Sequence, residues 1–125
     1  MSDPILPDDV RDFILGHIDS VAELEALLLL RNYAEQNWTI EAVAKRLYVS
    51  EAVAAEALAR LAADGLCICS DEFYRYHPSN GEQGITIDRL SEAYAQYLIP
   101  ITNLVHNKPS RIQKFADAFR FRKDK

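Results

Sequence analysis

The sequence predicts a mainly α-helical domain that carries one β-hairpin, and three observations predict it. Apolar residues recur at three- and four-residue spacing over most of the chain, Ser and Thr stand where helices would begin, and the stretch 66–77 switches to β-prone residues. The length of 125 residues, with 49% hydrophobic and 26% charged residues, suits a single domain spanning 1–125. With four Gly and five Pro little of the chain can be linker, and no internal repeat is visible.

The elements follow in order. Pro7, Asp8 and Asp9 mark a helix start, with carboxylates at the positive end of the helix dipole. Val10, Phe13, Ile14 and Ile18 then form an apolar stripe. Ser20-x-x-Glu23 reads as a capping box. Behind it Val21, Leu24, Leu27, Leu28 and Leu30 predict the most buried helix, running to about Gln36, with Trp38 plugging the core at its end. Thr39 caps a short helix carrying Val43, Ala44 and Leu47, and Tyr48-Val49 is a tight break. Ser50 caps the next helix, with Val53, Ala54, Ala57, Leu58 and Leu61 on its inner face and Gly65 just past its end. Two helices joined by so short a turn over 39–65 form a helix-turn-helix unit.

Leu66–Ser70 and Phe73–His77 predict a hairpin around Asp71-Glu72, and Pro78 to Gly84 reads as a loop. From Thr86 a longer helix is expected, with a heptad seam at Ile87, Leu90, Tyr94, Tyr97, Ile101 and Leu104 interrupted by Pro100. That seam can dock on the second helix within the chain or pair across a two-fold axis, and a dimer is the slightly preferred expectation. A last helix after Ser110 would complete the C-terminal helices over about 86–123, with Ile112, Phe115, Ala116 and Phe119 on one face.

The segment Ala44-Lys-Arg-Leu-Tyr-Val-Ser50, followed by Ala54, Leu58, Leu61 and Asp64-Gly65-Leu66, resembles the winged form of the helix-turn-helix, and the hairpin stands where its wing belongs. Ile18-Asp-Ser-Val21, Leu24-Glu25, Leu27-Leu-Leu-Leu-Arg31, Tyr74-Arg-Tyr76 and Phe115-Ala-Asp-Ala-Phe-Arg-Phe-Arg-Lys-Asp124 extend the likeness over nearly the whole chain. They make it similar to a family of small bacterial winged-helix proteins labelled transcriptional regulators. The resemblance implies the fold, a bacterial cytoplasmic setting and dimerisation through helices outside the motif. It brings no catalytic or binding residue with it.

Charge bears on function more directly. The net charge is −5, but residues 1–105 carry seven basic and seventeen acidic groups, and residues 106–125 carry seven basic and two acidic. In a DNA-reading helix-turn-helix the outward positions of the second helix face base edges and phosphates. Here they are Glu51, Ala52, Ala55, Glu56 and Ala59, whereas DNA readers neutralise phosphates with Lys and Arg. Small alanines flanked by carboxylates suit a protein partner better, although Ala and Glu are also ordinary surface helix formers. Lys45, Arg46 and Arg75 make a thin phosphate-binding set. Arg111, Lys114, Arg120, Arg122 and Lys123 are where polyanions would be welcome. That tail can lie on an anionic membrane, lie along DNA, or pack its apolar residues into the core while its cations pair with the acidic remainder of the chain or of a dimer mate. The last is the preferred expectation.

Little else carries chemistry. Cys67-x-Cys69 puts two thiols on one strand face, but a structural zinc site wants four ligands, and in the hairpin alignment Tyr76 rather than His77 faces Cys67. His17 and His106 have no motif around them, and Gly81-Glu-Gln-Gly84 lacks the spacing of a phosphate cradle. No metal, cofactor, small-molecule substrate or enzymatic activity is expected. The start Met-Ser-Asp-Pro has no signal-peptide character and the longest apolar run is Ala26 to Leu30, so a cytoplasmic protein is expected. The sequence therefore predicts a non-enzymatic regulatory module working through protein–protein contacts, with a DNA-binding regulator as the alternative and tail-mediated membrane association as a lesser one.

Overall fold

The computed structural model describes residues 6–78 and 80–107. Six helices and a two-stranded sheet follow one another there: α1 (Asp8–His17), α2 (Val21–Asn32), α3 (Ile40–Leu47), α4 (Glu51–Ala63), β1 (Cys67–Ser70), β2 (Phe73–Tyr76), α5 (Gly81–Gln96) and α6 (Leu98–Asn107). The basic C-terminal residues Arg111, Lys114, Arg120, Arg122 and Lys123 lie outside the described residues, as does the last helix expected after Ser110.

Local chemistry starts the helices. The side chains of Ser20, Thr39 and Ser50 accept the N–H groups of Glu23, Ala42 and Val53 at 3.1 Å each. The Ser20 box is closed one residue early: the Glu23 carboxylate accepts the Asp19 N–H at 3.0 Å, and Glu23 is fully buried. α4 ends in a Schellman turn. Gly65, at φ 78°, lets its own N–H reach Ala62 O at 3.0 Å and the Leu66 N–H reach Leu61 O at 2.9 Å.

α2 holds the domain together. It packs against α4, α3 and β2 on one side and α6 on the other, while α1, α5 and α6 pack on one another. An element touched from both sides needs apolar residues around most of its girth, and Leu24 and Ala26 through Leu30 are all buried. α2 stops at Asn32 rather than near Gln36, because Tyr33 leaves helical geometry and Tyr33 through Asn37 are exposed. The early stop brings Trp38 beside β2, where Trp38 and Tyr74 exchange two backbone hydrogen bonds of 2.8 and 2.7 Å. Trp38 itself is buried, as a core plug should be.

The hairpin pairs Cys67 with Tyr76, Ile68 with Arg75, Cys69 with Tyr74 and Ser70 with Phe73. Its two turn residues, Asp71 and Glu72, both take positive φ (53° and 71°), the conformation a two-residue hairpin turn needs, without the usual Asn-Gly pair. Leu66 and Cys67 are buried, and β1 packs on α4; Ile68, Phe73 and Arg75 face outward.

Two expectations about the second half need correction. The stretch after Asn80 is helical: the Asn80 side chain accepts the Gln83 N–H at 2.8 Å, so α5 begins at Gly81 and not at Thr86. The break falls at Tyr97, three residues before Pro100, which has no N–H to offer Gln96 O and sits instead in the first turn of α6. The seam packs on the core of its own chain, one of the two expected arrangements. Ile87, Leu90 and Ile101 are fully buried, and Tyr94, Tyr97 and Leu104 are half-buried against the same core.

Candidate functional site

The outward face of α4 is set by its cap and its inner stripe. Ser50 fixes the start, Ala54, Ala57, Leu58 and Leu61 turn inward, and Glu51, Ala52, Glu56 and Ala59 are left exposed with Ala55 half-buried. Val53, expected on the inner face, is 41% exposed. It borders a groove of about 320 Å³ between α4 and the start of α2, with Ala22, Val53 and Ala57 as its apolar wall and Asp19, Glu56 and Arg60 around it.

Beside this face stands a residue that the sequence marked only as a break. Tyr48 closes α3 in the left-handed conformation (φ 59°, ψ 44°) and is 94% exposed. Glycine or asparagine would take that backbone at less cost. The turn is held by the Val49 N–H on Ala44 O at 3.1 Å. An aromatic ring is thus presented to solvent just ahead of Glu51 and Ala52.

The cations of the same half of the molecule are already engaged. Lys45 lies 3.5 Å from Glu41, an exposed pair. The Arg46 guanidinium sits 5.0 Å over the Tyr33 ring and 5.6 Å from the Trp38 ring, and it donates to Tyr33 Oη at 3.2 Å. Arg75 donates to Ala34 O at 3.4 Å. Arg60 spans Asp19 at 3.0 Å and Glu56 at 3.3 Å. Arg11, Arg31 and Arg89 pair with Asp8, Asp88 and Asp9. Each of the seven Lys and Arg side chains among the described residues therefore has a partner in the chain. Glu51, Asp71 and Glu72, all exposed, have no cation within pairing distance among those residues.

A second shallow site lies on the outer hairpin face. Asn37, Ile68, Ser70, Asp71, Phe73 and Arg75 border about 330 Å³ there. On the inner face, burial first and the neighbouring Cys69 second push the Cys67 thiol up to about 12, so it stays protonated; Cys69 is exposed. Cys67 faces Tyr76 across the ladder, as the hairpin alignment predicts. Among the described residues no three His, Cys, Asp or Glu side chains cluster to hold a metal ion, and no helix is long and apolar enough to cross a membrane.

Comparison with known protein families, with curated proteins and with solved structures finds no match to this chain.

Proposed function

We propose that the chain is a non-enzymatic winged-helix module, of the bacterial cytoplasmic kind it resembles, that works by protein–protein contact through the outward face of α4 and the Tyr48 turn. The observation that carries this reading is electrostatic. A helix placed to enter a DNA groove meets closely spaced phosphates, and affinity there comes largely from Lys and Arg that displace counterions. α4 presents Glu51 and Glu56 at its leading end, and Lys45, Arg46 and Arg75 nearby are tied to Glu41, Tyr33 and Ala34. An exposed aromatic ring among small residues and carboxylates is instead the make-up of a protein interface anchor. A second copy is one such partner.

The DNA-binding reading stays as the alternative, because two helices joined by a three-residue turn and followed by a hairpin is the element order of groove-reading proteins. Association with an anionic membrane through residues 108–125 is a lesser reading, resting on their composition alone. Titration of labelled, mixed-sequence duplex DNA at low salt separates the first two. No saturable binding is the expected result. Tight binding that weakens steeply with salt, and is lost on replacing Lys45, Arg46 and Arg75, would overturn the protein-contact reading.

A further inference from the structure

On the α4 face Arg60 is shared by Glu56 and Asp19, Glu51 has no cation within pairing distance among the described residues, and the same chain carries further cations after residue 107. Resting on the reading of that face as a protein-contact surface, we infer that it docks residues 108–125 of its own chain. Three observations support this occupant.

The first is charge. Residues 108–125 hold seven basic and two acidic groups, while residues 6–107 hold seven basic and sixteen acidic. All seven cations of the latter are engaged, and exposed Glu51 is left without one, with Glu56 sharing Arg60 with Asp19. The second is shape and polarity. Val53 exposes apolar surface in a groove walled by Ala22 and Ala57, and the exposed Tyr48 ring stands in the turn ahead of α4. Phe115, Phe119 and Phe121, interleaved with Arg120 and Arg122, offer rings to fill the groove, guanidinium groups to pair with the carboxylates, and a cation for the face of the Tyr48 ring. The third is the tether. The segment starts directly after Asn107, the end of α6, and eighteen extended residues reach roughly 60 Å, further than a domain of this size is wide. A tethered segment acts at an effective concentration in the range of about 1 mM, so weak ion pairs suffice.

Zero-length carbodiimide cross-linking of the full chain, dilute and at low salt, tests this, with isotope-labelled and unlabelled protein mixed. The expected links join Lys114, Lys123 or Lys125 to Glu51 or Glu56 within one chain, and they fall about tenfold near 1 M salt, where the screening length is roughly 3 Å. Reversing the charges (Glu51→Lys and Glu56→Lys together with Lys114→Glu and Lys123→Glu) should restore links of opposite polarity. Links confined to Glu82 and Glu92 on α5, links between labelled and unlabelled chains, or no links would each overturn the inference. The outcome is separable from the underlying reading: DNA binding through Lys45, Arg46 and Arg75 would sink the latter, whereas absence of both DNA binding and α4 links would sink only the docking.

Discussion

Tyr48 combines a left-handed backbone with a ring left almost wholly in solvent. Holding a non-glycine residue in the left-handed region costs about 1–2 kcal/mol, more than the roughly 0.5–1 kcal/mol that glycine loses through its extra freedom in the unfolded chain. Tyr48→Gly should therefore leave stability unchanged or slightly raised in thermal melts, because the 94% exposed ring has almost no packing to lose. The same variant should weaken whatever binds the α4 face. A clear fall in melting temperature would mean that the ring has a folding role. The two thiols give a second residue-scale expectation. An alkylating reagent at pH 8 should modify exposed Cys69 and spare Cys67 until the chain unfolds, since Cys67 is buried with its thiol pushed up to about 12. Equal labelling of both under native conditions would contradict the packing of β1 on α4. Tyr48 also shows where sequence reading stops. The outward residues of α4 were legible because helical spacing assigns faces, but a tyrosine gives no sign that its backbone will be left-handed.

At the scale of elements, legibility followed how local the cause was. The caps at Ser20, Thr39 and Ser50 were readable since a hydroxyl and an N–H three residues on decide them. Asn80 does the same for α5, but Gly81 and Gly84 behind it are poor helix formers and gave the stretch the composition of a loop. The Trp38–Tyr74 bridge is one residue long, so no period announces it. The seam of α5 and α6 was visible as a pattern, while its partner was not: apolar spacing says that a face is buried and leaves open against what. The burial of Leu90 within one chain has a measurable consequence. Leu90→Ala should destabilise the fold by about 2–5 kcal/mol, with a denaturation midpoint independent of protein concentration. A midpoint that rises with concentration in the natural chain and not in Leu90→Ala would show the seam to be shared between chains.

Across the whole molecule, ionisation limits stability on the alkaline side. The Tyr94 hydroxyl donates to Glu25 at 2.9 Å, and burial, helped by that bond and by the Glu25 charge, pushes it up to about 12; Cys67 is likewise pushed up to about 12. Both groups hold their protons more tightly when folded. Their contribution is whole below their ordinary values of 9 and 10 and is lost as pH climbs towards 12. Stability measured by urea denaturation should fall between pH 9 and 12, and Tyr94→Phe should flatten the upper part of that fall. An identical slope in the variant would show that Tyr94 is not the titrating group.

The net charge of −5 conceals a division between an acidic body whose cations are paired within it and a basic segment after residue 107. The most direct measurement is the salt dependence of duplex DNA binding by the full chain beside its Glu51→Lys, Glu56→Lys variant. If α4 is a protein-contact face, the natural chain shows no saturable binding at low salt, while the variant gains binding that steepens with the two added cations. Tight, salt-sensitive binding by the natural chain that survives neutralising Arg111, Lys114, Arg120, Arg122 and Lys123, and is left unimproved or impaired by the two lysines on α4, would make α4 a reader of DNA instead.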